Sequence, residues 1–128
     1  MGSIRKVSIP MRYFLLIVML LIPTIAHAEW NGADSAREVV WQGLHVIDWG
    51  QTLEIARQPE DYWEVNPIMG RHPSVGRVNL YMGVSAVVHG VVSWVLPDEV
   101  RKWWQYVSIG VSGACVARNF NIGLGVRY

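Results

Sequence analysis

Between Val78 and Leu96 the chain carries no Asp, Glu, Lys or Arg, and Pro97 closes the run. Helices of ~20 largely apolar residues match the thickness of a bilayer's hydrocarbon core. The sequence therefore predicts a membrane-compatible helix over residues 75–96, with Ser74 placed to cap its first amides. Pro97 lacks the amide hydrogen that would continue the helix, and Asp98 is expected to cap the next one. Glu99-Val100-Arg101-Lys102-Trp103-Trp104 mixes charges and indoles as headgroup boundaries do. A helical hairpin follows, returning through residues 104–117. Its Gly110, Gly113 and Ala117 are expected to pack on Gly83, Ala86 and Gly90, because small residues let helix backbones approach closely.

An earlier helix is expected over residues 36–57, started by a capping box at Ser35-Ala36-Arg37-Glu38. Offsets of four, three and four place Trp41, His45, Asp48 and Thr52 along one stripe, a polar seam within an otherwise apolar pattern. An isolated buried carboxylate is costly, so Asp48 must be paired, hydrated or neutralised. His89 shares a face with Ser85 and Ser93, and its expected partner is Asp48 or Thr52. Residues 58–79, with Pro59, Pro67, Pro73, Gly70 and Gly76, form a shaped connection rather than a helix. There Pro67 restricts Asn66, Gly70 is free to take a positive φ, and Glu64 is available to accept backbone amides. Phe120, Ile122, Leu124, Val126 and Tyr128 alternate along the tail, which is expected to be extended from Asn119 onward.

The N-terminus reads as an export signal. Arg5, Lys6 and Arg12 supply a charged region, residues 13–25 an apolar one, and Ala26-His27-Ala28 a small-residue cleavage site. Residues 1–28 are thus a signal peptide or an uncleaved anchor, and residues 29–128 a single helical domain. Hydrophobic residues make up 52% of the chain and charged ones 16%, against roughly 25% charged in an average soluble domain. The balance leans toward membrane. A net charge of +1 without a basic patch excludes nucleic acid as a partner. The one cysteine, Cys115, has no intramolecular disulfide partner and is expected to be a small packing residue.

His45-Val46-Ile47-Asp48-Trp49-Gly50-Gln51-Thr52, followed by Glu64-Val65-Asn66-Pro67-Ile68-Met69-Gly70 and His72-Pro73-Ser74, resembles small membrane proteins of bacteria and their phages, some labelled spanin-like lysis proteins. The resemblance implies an envelope location and a structural or accessory role, and assigns no activity. Unlike a typical spanin, this sequence has no lipoprotein cysteine near residue 28 and no long coiled-coil pattern.

Asp48, Glu64, His45 and His72 are the residues whose chemistry suits a divalent metal, yet their spacing matches no metal motif, so none is assigned. Asp48 and Glu64 form a candidate acid–base pair for a membrane-embedded hydrolase, the alternative to a non-enzymatic envelope component. Asn66, Pro67, Gly70 and Pro73 read as loop-shaping residues, and Trp94, Trp103 and Trp104 as interface anchors. The fold expected is all-α, a small membrane helical bundle without cofactor. Its partners would be the lipid bilayer and an envelope protein or a second copy of the chain.

Overall fold

Asn31 starts the first helix one turn ahead of the expected Ser35. Its side chain accepts the amides of Ala33 and Asp34, while the Asp34 carboxylate accepts the Asn31 amide, closing a capping box. Ser35 instead receives the Trp30 indole N–H, and Glu38 is released to face inward. The computed structural model describes residues 29–128, so the expected signal segment lies outside the described residues. Three helices follow in order: α1 (Gly32–Arg57), α2 (Val75–Val95) and α3 (Asp98–Asn121). No strand occurs among the described residues, in keeping with an all-α fold.

Ser74 caps α2 as the sequence predicts, accepting the Arg77 amide at 3.2 Å. α2 is long and apolar enough to cross a membrane by length and composition. Asp98 does not cap α3; Pro97 occupies the cap position without a side-chain bond and Asp98 is the first helical residue. α3 also extends beyond the expected residues 104–117, because nothing between Asp98 and Asn121 is a proline and the polar residues near both ends find partners on α1.

α1 is the hub of the bundle, and α2 and α3 meet each other least. The expected small-residue contact between α2 and α3 is therefore absent. A Cβ on Gly83 would meet Trp49, one on Gly90 would meet Glu38 and one on Gly113 would meet Leu44, all α1 residues, whereas Gly110 faces open space. The large indole and carboxylate side chains of α1 fill the space that a direct α2–α3 contact would need. A cleft remains between α2 and α3, floored by α1.

Among the described residues one apolar knot is buried: Leu53, Met69, Val78 and Met82, flanked by Trp49, Ala56 and Tyr81, at the end where the loop joins α1 to α2. Trp41, Ile55, Val116 and Leu124 are buried outside it, and polar side chains share the rest of the interior. Asp34, Gln51, Ser93 and Gln105 are fully buried and Arg101 is 1% exposed, while Leu80, Val87, Val107 and Trp103 are each more than 60% exposed. Along residues 36–56 of α1, 78–95 of α2 and 103–117 of α3, no exposed residue is Asp, Glu, Lys or Arg.

After α3 the chain is extended only from about residue 124, later than expected. Gly123 takes φ +90, and Leu124 is buried. The tail then lies along α1, its Gly125 amide donating to Glu54, its Arg127 amide to the Gly50 carbonyl and its Tyr128 hydroxyl to the Val46 carbonyl. Gly50 permits this approach, since a Cβ there would sit 2.6 Å from Val126 Cγ1.

Candidate functional site

Trp41, His45, Asp48 and Thr52, the stripe expected on α1, line one cavity of about 370 Å³. Glu64 and Asn66 from the loop, Tyr81 and Ser85 from α2, and Ser112, Cys115, Arg118 and Asn119 from α3 complete it. Asp48, Glu64 and His45 therefore converge. His72 does not; it is exposed on the loop surface, which corrects its place among the candidates. Among the described residues no group of three or more His, Cys, Asp and Glu is gathered for a metal.

The loop residues earn their shape locally. Asn66 is the hinge of the arrangement: its Oδ1 accepts the Ile68 amide, its Nδ2 donates to the Tyr81 hydroxyl, and its own amide donates to Glu64 Oε1 at 2.7 Å. These bonds form an Asx turn that fixes the Glu64 carboxylate. The Glu64 amide also pairs with the Arg71 carbonyl. Pro67 follows Asn66 within the turn, Gly70 takes φ +80, and Pro73 is buried where the chain enters α2. Met69 reaches back from the loop to plug the apolar knot beside the cavity.

Asp48 accepts one hydrogen bond among the described residues, from Asn119 Nδ2 at 3.0 Å, and Asn119 also donates to Gln51. Glu64 is near enough for the two carboxylates to interact as like charges. Arg118 lines the same space but forms no salt bridge with either carboxylate. His45 Nε2 donates to the Met82 carbonyl at 2.9 Å, which in the neutral ring leaves Nδ1 as an acceptor. The cavity is thus rich in acceptors, with Asp48, Glu64 and the His45 imidazole on its walls.

His89 is buried, but its partner is neither Asp48 nor Thr52, the two that the sequence led one to expect. His89 Nδ1 lies 3.0 Å from Glu38 Oε1, and its ring stacks on Trp41 with centroids 3.6 Å apart. Glu38 also accepts from Gln42, Ser93 and Gln105. One turn further toward the α2–α3 connection, Asp34 pairs with Arg37 and with Arg101, which also donates to the Ser93 and Leu96 carbonyls. This second polar cluster contains Asp34, Glu38, Arg101 and Gln105; the sequence offered Glu38 only as a helix cap and Arg101 only as a boundary charge, and did not single out Asp34 or Gln105. The missed signal is heptad spacing. Asp34, Glu38, Trp41, His45, Asp48 and Thr52 follow offsets of four and three, as do Arg101, Gln105, Ser108, Ser112, Cys115 and Asn119.

Cys115 is exposed on the cavity wall rather than packed inside. No protein family, curated protein or solved structure matches the chain.

Proposed function

We propose that this protein is a small integral membrane protein of the cell envelope. All three helices sit in the bilayer, and the Asp48–Glu64 cavity is an intramembrane recognition site. The observation that carries the reading is the inverted distribution of polarity, with ionisable and amide side chains facing the helix–helix contacts and valine and tryptophan facing out. In water such a surface is a liability, whereas in lipid it is the solvated one, and polar side chains then serve as contacts between helices. At ~1.5 Å per residue, the 26, 21 and 24 residues of α1, α2 and α3 give lengths of about 39, 31 and 36 Å, enough for a core of ~30 Å.

Charge at the two ends supports an orientation. Arg57, Arg71, Arg77, Arg118 and Arg127 are exposed at the loop end, while among the described residues Lys102 is the one exposed basic residue at the end carrying Glu29, Asp98 and Glu99. The positive-inside tendency puts the loop end in the cytoplasm and Glu29 outside, which agrees with export of the N-terminal segment. Trp94 and Trp103, 58% and 65% exposed, then anchor the outer interface.

The role favoured is non-enzymatic and accessory, and the resemblance to phage proteins labelled spanin-like extends it to envelope lysis. A second reading, a membrane-embedded hydrolase, draws support from the convergence of Asp48, Glu64 and His45 on one cavity. Deleting the gene, or replacing it with Asp48→Ala, separates these readings when lysis timing and membrane integrity are followed. A shifted lysis time with normal protein levels supports the accessory role. Unchanged timing in the deletion removes the lysis role, and loss of a hydrolytic turnover on Asp48→Ala alone would install the second reading.

A further inference from the structure

His89 has one ring nitrogen with nothing to bond. The residue is 4% exposed, and among the described residues Nε2 has no hydrogen-bond partner, the condition that buried polar atoms rarely tolerate. The other nitrogen is committed. Nδ1 faces Glu38 Oε1 at 3.0 Å, and that carboxylate also receives donors from Gln42, Ser93 and Gln105. A carboxylate so surrounded acts as an acceptor, so Nδ1 carries the proton and Nε2 presents a lone pair in the neutral ring. Trp41 and Trp104 hold the ring between them, with centroids 3.6 and 5.0 Å away. The imidazole is therefore fixed in plane and tautomer, with Nε2 itself buried, so a donor reaches it only as a neighbouring side chain of the groove wall gives way.

Its surroundings are a groove of about 370 Å³ between α2 and α3, lined by His89 together with Ser85, Ser108 and Ser112 and walled by Val88, Val107 and Val111. The valines are more than half exposed, so the groove opens sideways between the two helices that touch least. None of these serine hydroxyls bonds Nε2. The arrangement is thus a waiting acceptor and not a nucleophile held by its base.

We propose that this groove binds a lipid with a neutral hydroxyl headgroup, whose O–H donates to His89 Nε2 while its chain lies along Val88, Val107 and Val111. The lipid identity of the occupant rests on the membrane-embedded reading, since the open side of the groove then faces acyl chains. Glu38 is a positioning residue that acts through His89, and Ser85, Ser108 and Ser112 offer further partners for a second hydroxyl. The site is separate from the Asp48 carboxylate, although Trp41, Ser85, Val111 and Ser112 border both spaces.

The test uses the full-length protein with ¹⁵N-labelled histidine, purified in nanodiscs, titrated with 1-dodecanol and, in parallel, with dodecane. The resonance of His89 Nε2, assigned by its loss in His89→Gln, is expected to shift saturably with the alcohol and not with the alkane. Glu38→Gln should weaken the alcohol response at least tenfold while leaving the groove open. Val111→Phe, at an exposed position on α3, should abolish the response with the helical circular dichroism and melting curve unchanged. An equal response to dodecane, an unshifted Nε2, or a response that survives Val111→Phe overturns the site. Carbonate extraction of cell membranes from the expressing strain judges the embedding separately: release into the supernatant would overturn that reading, and the titration repeated in buffer would still decide whether the groove recognises a hydroxyl.

Discussion

The bundle has two polar interiors that differ in how completely they are paired. Near the α2–α3 connection, Asp34 meets Arg101 at 2.9 Å, Arg101 also bonds the Ser93 and Leu96 carbonyls, and Gln105 bridges the Asp34 carbonyl to Glu38. Near the loop, Asp48 rests on Asn119 alone among the described residues, Glu64 adds a like charge, and Arg118 is not paired with either. The first interior is bonded throughout except at His89 Nε2 among the described residues; the second surrounds a cavity with a single donor on Asp48. A paired network fixes which faces of three helices meet. Acceptors left facing a space are suited to meeting something else.

The contrast is broken most severely at Arg101. Removing one partner of a buried ion pair leaves the other uncompensated, so Arg101→Met is expected to destabilise the bundle by ~3–5 kcal/mol. Chemical unfolding of the protein in mild detergent measures this, and a loss below 1 kcal/mol would mean that the pair is not buried as described. Asn119→Leu comes next, because it strips Asp48 and Gln51 of a shared donor. A loss of ~1–3 kcal/mol is expected in the same assay.

Gly50→Ala probes the tail. The added Cβ collides with Val126 and approaches the Arg127 amide at 3.3 Å, so the tail must lift from α1. The expected cost is about 1 kcal/mol, with faster proteolytic trimming beyond residue 122 while the helical signal stays intact. Asp48→Asn should have the smallest effect on stability, under ~1 kcal/mol, since the amide keeps the Asn119 contact and removes the like-charge neighbour of Glu64. If it proves as damaging as Arg101→Met, the two interiors are equivalent and the distinction between them fails.

Helix number, the α2 boundaries and the seam from Trp41 to Thr52 were legible because each rests on local rules: prolines, a serine cap and helical spacing. The loop was legible for the same reason, since Asn66, Pro67 and Gly70 act through their own dihedrals. Partner choice was not legible. His89 pairs with Glu38 and not Asp48, because the two helices run antiparallel with Ala86, His89 and Ser93 alongside Gln42 and Glu38, a register that no local pattern sets. Glu38 was read as a capping residue because Ser35 precedes it by three, while the competing cap at Asn31 with Asp34 has the same logic one turn earlier. The small residues of α2 and α3 did not mark a close backbone approach: Gly83, Gly90 and Gly113 face side chains of α1 at ordinary contact distance. The expected α2–α3 contact gave way to a cleft.

The inverted polarity of the bundle is the central claim, and cysteine accessibility in native membranes tests it most directly. On a Cys115→Ser background, Val40→Cys, Val87→Cys and Val107→Cys place thiols at exposed apolar positions, and Glu60→Cys places one in the loop. A membrane-impermeant maleimide should leave the three valine positions unlabelled, and should label the loop position only once the cytoplasmic face is opened. Rapid labelling of the valine positions in intact cells or sealed membranes would contradict the account, because those surfaces would then face water.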